Sequence, residues 1–189
     1  MNRNENVMRL AIAALLVAVG ILIPMFMPLK LYILPMSFTL ASHVAIFIAM
    51  FISPVVAFAV TIGTTVGFVF SGLPMDVWLR ALSQVVWAVL GSMWLKANPD
   101  ILYKPVPSTL FCLVVAVVHG ALEVMVIFCL YFGGFGGVAE KFQESGYLVI
   151  FLLVGAGTLI HSCIDYALSL LVWRPIRKLS SVRAVASVH

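Results

Sequence analysis

Apolar runs of about twenty residues recur along this chain, separated by short breaks carrying proline, glycine or charge. A helix needs ~20 such residues to cross the ~30 Å hydrocarbon core of a bilayer. Within lipid no water is at hand to pair with the backbone, so a spanning segment must satisfy its own N–H and C=O groups as a helix. Composition points the same way: 63% of the residues are hydrophobic, 10% are charged and the mean hydropathy is +1.17. Soluble domains carry about a quarter charged residues, so these charges are too few to cover a water-facing surface. The predicted fold class is an all-α membrane protein, with residues 1–189 forming one bundle of six transmembrane helices.

The predicted spans run from Val7 to Met27, Phe38 to Ser53, Val55 to Ser71, Val77 to Leu95, Ser108 to Phe132 and Tyr147 to Trp173. The first is expected to stay in the protein, because no small-residue cleavage site interrupts the run up to Phe26. The connector PLKLYILPMS is apolar enough to fold onto the bundle, and the second span, at about 15 residues, is short for a crossing. The turn Gly72-Leu73-Pro74 closes span three, KANPDILYKPVP is the polar loop after span four, and GGFGG with the charged stretch Glu140 to Glu144 follows span five.

Charge sets the expected orientation. With the N-terminus inside, the inner loops hold Arg3, Arg9, Lys96, Lys104, Arg174, Arg177, Lys178 and Arg183, against Lys30 and Lys141 outside. The positive-inside rule then places both termini in the cytoplasm. The net charge of +4 is read as this topology signal. It does not suggest nucleic-acid binding, because the basic residues flank spans. Cys112, Cys129 and Cys163 fall inside spans without CxxC spacing and read as buried free thiols.

Polar groups inside the spans carry the functional signal, since each costs ~2.5–3.5 kcal/mol to insert and so has a partner or a task. They are His43, Arg80, Gln84, His119, Glu123, His161 and Asp165. Helical spacing puts Arg80, Ser83, Gln84 and Trp87 in one stripe, His119 above Glu123, and Thr158, His161 and Asp165 on one face. Depth along the spans brings His43, Arg80, Gln84, His119 and Glu123 together in the outer half. The expected substrate-binding residues are Arg80, Gln84, His43, Glu123, Trp87 and His119, with Arg80 the natural partner of a ligand carboxylate. The plainer reading lets His119–Glu123 and His161–Asp165 neutralise each other within the bundle, and lets Arg80 snorkel to the interface. On span one, RLAIAALLVAVGILI places Ala11, Ala14 and Ala18 on one side, a small face that another helix can approach closely.

Taken together, the six spans, the alanine face and the apolar first outer loop resemble a substrate-binding S-component of an energy-coupling factor vitamin transporter. Within the chain, SFTLASHVAIFIAMFISPVVAFAVTIGTTVGF and LRALSQVVWAVLG resemble the members for small acidic vitamins, pantothenate first and niacin next. The resemblance implies capture of the vitamin outside a bacterial cell. It also implies docking of Ala11, Ala14 and Ala18 on a transmembrane coupling subunit, and ATP hydrolysis with magnesium on two cytoplasmic ATPase partners. No enzyme activity, cofactor or metal is expected on this chain, and it has no G-x-x-x-x-G-K-[ST] loop. Two other functional classes share some of these residue types. An autonomous proton-coupled carrier would use Glu123, His161 and Asp165 but lacks an inverted repeat. An intramembrane enzyme would use His119, Glu123, His161 and Asp165 but lacks HExxH and GxSxG.

Overall fold

A helix of 24 residues, α1 (Arg3–Phe26), opens the computed structural model of the chain, which describes residues 3–33, 36–135, 140 and 146–188. The expected glycine run beyond Phe135, the charged residues Lys141 and Glu144, and Leu34-Pro35 of the first connector lie outside the described residues. At 1.5 Å per residue α1 is about 36 Å long, enough to span a bilayer. It buries Ala13, Leu16 and Gly20. That face meets α3 (Pro54–Phe70) through small residues: a Cβ on Gly20 would fall 2.7 Å from the Thr64 hydroxyl, and one on Gly63 would fall 2.6 Å from Val17. Glycine on both helices is what permits so close an approach.

The apolar connector is not helical. Strands β1 (Lys30–Ile33) and β2 (Met36–Thr39) form an antiparallel hairpin with Lys30 opposite Thr39 and Leu31 opposite Phe38. Phe38 buries itself with Val124, Ile127, Leu130 and Val154, so the hairpin folds over one end of the bundle as its apolar character suggested. A Cβ at Gly157 would lie 2.7 Å from the Phe38 ring, and glycine there leaves room for it.

Span two differs from its expected form. Its first residues belong to β2 and to a turn, and the helix α2 covers only Val44–Ile52. Nine residues rise about 14 Å, less than half the hydrocarbon thickness. All nine side chains are buried, so this short helix is wrapped by protein rather than by lipid. Ser53 ends α2 and starts α3: its hydroxyl accepts from Val56 N–H at 3.3 Å, and Pro54 takes the first helical position, where its missing N–H costs nothing.

Two longer helices follow, α4 (Met75–Ala97) and α5 (Pro105–Gly133), joined by a 3₁₀ turn at Pro99–Tyr103. Gly134 stops α5 in the left-handed conformation, φ 67°. The last long helix, α6 (Gly157–Ile176), is entered through Gly146–Ile150 and a π-helical stretch, Phe151–Ala156. Among the described residues, α1, α5 and Leu152–Ile176 are each long and apolar enough to cross a membrane. α3 is apolar but shorter, and α4 is long but carries Asp76, Arg80 and Lys96. The molecule is therefore an all-α membrane protein, with one small hairpin among the described residues.

The C-terminal tail has a role that its charge pattern does not reveal. After the turn Ser180–Arg183, the side chains of Val185, Ala186 and Val188 are buried in the same apolar cluster as α2. Ser187 N–H donates to the Ile52 carbonyl at 2.6 Å. The tail thus occupies the space beneath the short helix and satisfies one carbonyl that its end leaves open.

Candidate ligand site

The hairpin end of the bundle encloses a cavity of about 330 Å³, at the small end of the ~300–1,000 Å³ range of small-molecule sites. Helical spacing on α4 turns Arg80 and Gln84 to the same side, and both line it. His43, from the turn before α2, and Glu123, from α5, complete the expected residues at its wall. His119 and Trp87 belong to the layer behind. Both are almost fully buried, their rings 4.9 Å apart, and the Phe47 ring lies 5.0 Å from that of Trp87. Their stripe positions were legible in sequence, but the cavity is walled by other side chains. Those include Phe38, Ser42, Thr64, Thr158, His161 and Lys30. Thr158 and His161 had a signal, a shared polar face on α6. Thr64 and Ser42 had none, because a hydroxyl in a membrane helix or turn is ordinary.

Two carboxylates organise the wall. Glu123 is buried and receives Arg80 Nη2 at 2.6 Å and the Thr158 hydroxyl at 2.6 Å, with His119 Nε2 3.2 Å from its other oxygen. Arg80 is thus neither snorkelling nor waiting alone for a ligand; Glu123 orients a guanidinium that carries five N–H donors. Behind it, Ser162 lies 3.3 Å from His119 Nδ1, which ties α6 to α5.

Asp165 is the second node, fully buried on α6. One oxygen accepts from Ala41 N–H at 2.8 Å and the other from His43 N–H at 2.8 Å. Those amides precede α2, so a carboxylate from another helix does the work of an N-cap at the positive end of α2. Ala41 has φ 65°, a left-handed conformation that costs a non-glycine residue roughly 1–2 kcal/mol. The bonds from Asp165 to both sides of it hold that turn. They also bring His43 Nδ1 to 3.1 Å and His161 Nε2 to 3.3 Å from the Asp165 carboxylate. The polar face of α6 therefore joins those of α4 and α5, and His43 from the turn before α2, at the cavity.

On α1, Ala11, Ala14 and Ala18 are exposed, on the side turned away from Ala13, Leu16 and Gly20. The alanines do not pack within the bundle.

The chain is 41% identical over 168 residues to the niacin transporter NiaX of Lactococcus lactis subsp. cremoris, covering 89% of this chain and 74% of that protein. This chain belongs to the S-component family of energy-coupling factor vitamin transporters. No protein-family model and no solved structure matches it. The polar cavity beneath the hairpin, backed by a layer of buried aromatic and imidazole rings, is the candidate ligand site of this S-component. The expected preference for pantothenate gains no support from this relative, whose name specifies niacin.

Proposed function

We propose that this S-component binds niacin in the hairpin-end cavity and delivers it to the cytoplasm together with a coupling subunit and two ATPases. The observation that carries the reading is Arg80, ion-paired to Glu123 at the wall of a small cavity in a chain 41% identical to a niacin transporter. Nicotinate is one aromatic ring with a carboxylate. The Arg80 guanidinium, with Lys30 on the same cavity, suits the carboxylate. Phe38 and Phe68 offer apolar surface for the ring, and the Ser42 hydroxyl and the imidazoles offer polar partners for its nitrogen. Calorimetric titration of the detergent-purified protein should show nicotinate binding more tightly than pantothenate or nicotinamide. Tighter binding of pantothenate overturns the assignment.

In this reading the cavity faces outward and both termini are cytoplasmic, in the bacterial cell membrane. The basic residues near α1, after α4 and after α6 support that orientation. The shortness of α2 leaves it unchanged, because α2 and α3 descend and return as a pair. Single cysteines at Ser71 and at Asn98, in a background lacking the three native thiols, should label from opposite faces. Impermeant reagent added outside should reach position 71 alone; labelling of position 98 from outside contradicts this arrangement.

The exposed alanines of α1 are the proposed docking face for the coupling subunit. Side chains of one carbon let a partner helix come close, and in lipid such packing is what drives helix association.

A further inference from the structure

Four polar atoms converge at the cavity wall and immediately behind it. His43 Nδ1 and His161 Nε2 each face two oxygens: Asp165 Oδ2 at 3.1 and 3.3 Å, and Ser42 Oγ at 3.3 and 3.0 Å. Each hydrogen bond needs a proton between its two atoms, and an N–H that faces two oxygens must be shared between them. If both ring nitrogens are protonated, each N–H either points at one oxygen or is divided between two. If one is bare, the serine can donate to it, but that nitrogen then faces the carboxylate lone pair to lone pair. Either way at most two of the four contacts can be linear, unshared hydrogen bonds, in a site where a poorly matched polar pair is costly.

We infer that His43 Nδ1, His161 Nε2 and Asp165 Oδ2 ligate a divalent transition-metal ion of the zinc class. Two imidazoles and a carboxylate are a recurrent donor set for such ions when one coordination position stays open. Ligand bonds of about 2.0–2.1 Å in a tetrahedron put neighbouring donor atoms about 3.3 Å apart, close to the two nitrogen–carboxylate distances. The three donor atoms all lie within 4.8 Å of one another, and all three residues are buried. Asp165 is held by the backbone amides of Ala41 and His43, the kind of outer contact that orients a metal-binding carboxylate. Ser42 Oγ, against both nitrogens, marks the fourth position, and Ser42, His43 and His161 all line the cavity. The ion would present that position to whatever occupies the cavity. This departs from the sequence expectation of a metal-free chain.

The test uses Co²⁺, whose visible absorption distinguishes four-coordinate from hydrated six-coordinate ions. The chain, purified without an affinity tag and with Cys112, Cys129 and Cys163 replaced by serine or alanine, is stripped with chelator and titrated with Co²⁺, then Zn²⁺. It should take up one equivalent with the intense bands of a low-coordinate site, and Zn²⁺ should displace it. His161→Gln keeps Asp165 on the α2 amides and should leave the melting temperature nearly unchanged while weakening Zn²⁺ ~100-fold or more. Ser42→Ala, which removes no ligand from the three, should retain the bands. A spectrum of hydrated Co²⁺ only, or equal Zn²⁺ affinity in His161→Gln, overturns the inference. No vitamin is present in these titrations, so their outcome is independent of whether niacin is the cargo.

Discussion

Arg80→Ala is expected to weaken nicotinate binding by about 30-fold to several thousand-fold, the ~2–5 kcal/mol that loss of one partner of a buried, hydrogen-bonded charge pair costs. The structure adds a second reason for a large effect. Glu123 receives Arg80 at 2.6 Å and is buried, so removing the guanidinium leaves a carboxylate beside the ligand carboxylate with Thr158 and His119 as its other neighbours. Repulsion then adds to the lost attraction. Arg80→Lys should recover only part of the affinity, since an ammonium cannot pair with two carboxylates in a planar fork. The double variant Arg80→Ala with Glu123→Gln separates the two contributions: it should bind more tightly than Arg80→Ala alone. Calorimetry in detergent reads all three, with a melting curve for each to establish that it is folded. Wild-type affinity in a folded Arg80→Ala protein would mean that the carboxylate is held elsewhere on the cavity wall.

Ala14→Trp combined with Ala18→Trp should abolish uptake by the assembled transporter and leave vitamin binding by the isolated S-component within a fewfold of wild type. Both alanines are exposed on α1, and the buried face of that helix is formed by Ala13, Leu16 and Gly20. Indoles there have lipid to occupy, so the bundle is little disturbed. A partner helix that needs close approach is held away. Co-purification of the double variant with the coupling subunit at the wild-type ratio would show that docking uses another surface. The matching control is Gly63→Trp. It lies on α3 where a single added carbon already meets Val17 at 2.6 Å, so it should lower the stability of the S-component itself.

Much of this protein follows from hydropathy and helical period. Lipid forces the backbone into helices wherever an apolar run is long enough, which is why α1, α5 and α6 appear where the sequence predicts them. The i, i+4 rule likewise places Arg80 with Gln84, and His161 with Asp165, because a helix turn is a local property. Local rules also set apart the alanine face of α1 from its buried side. They fail where contact between distant segments decides the structure. α2 is far shorter than its apolar run. The chain from Met36 to Thr39 finds a strand partner in Lys30 to Ile33, and a carboxylate 124 residues from Ala41 holds the turn at which the helix begins. No period in the sequence records that pairing.

The site divides along the same line. Sequence determined which groups are too costly to leave in lipid without a partner: His43, Arg80, Gln84, His119, Glu123, His161 and Asp165. Tertiary structure decided which partner each one takes. Glu123 chose Arg80 and Thr158 as well as its own helix neighbour His119. Asp165 chose the amides before α2, and so drew His161 and His43 onto the cavity floor. It also decided that Trp87 and His119 stand behind the wall, and that the C-terminal tail lies under α2. The physical reason is that burial cost belongs to a residue and can be read from its identity. The relief of that cost depends on distance, which exists only once the helices are packed.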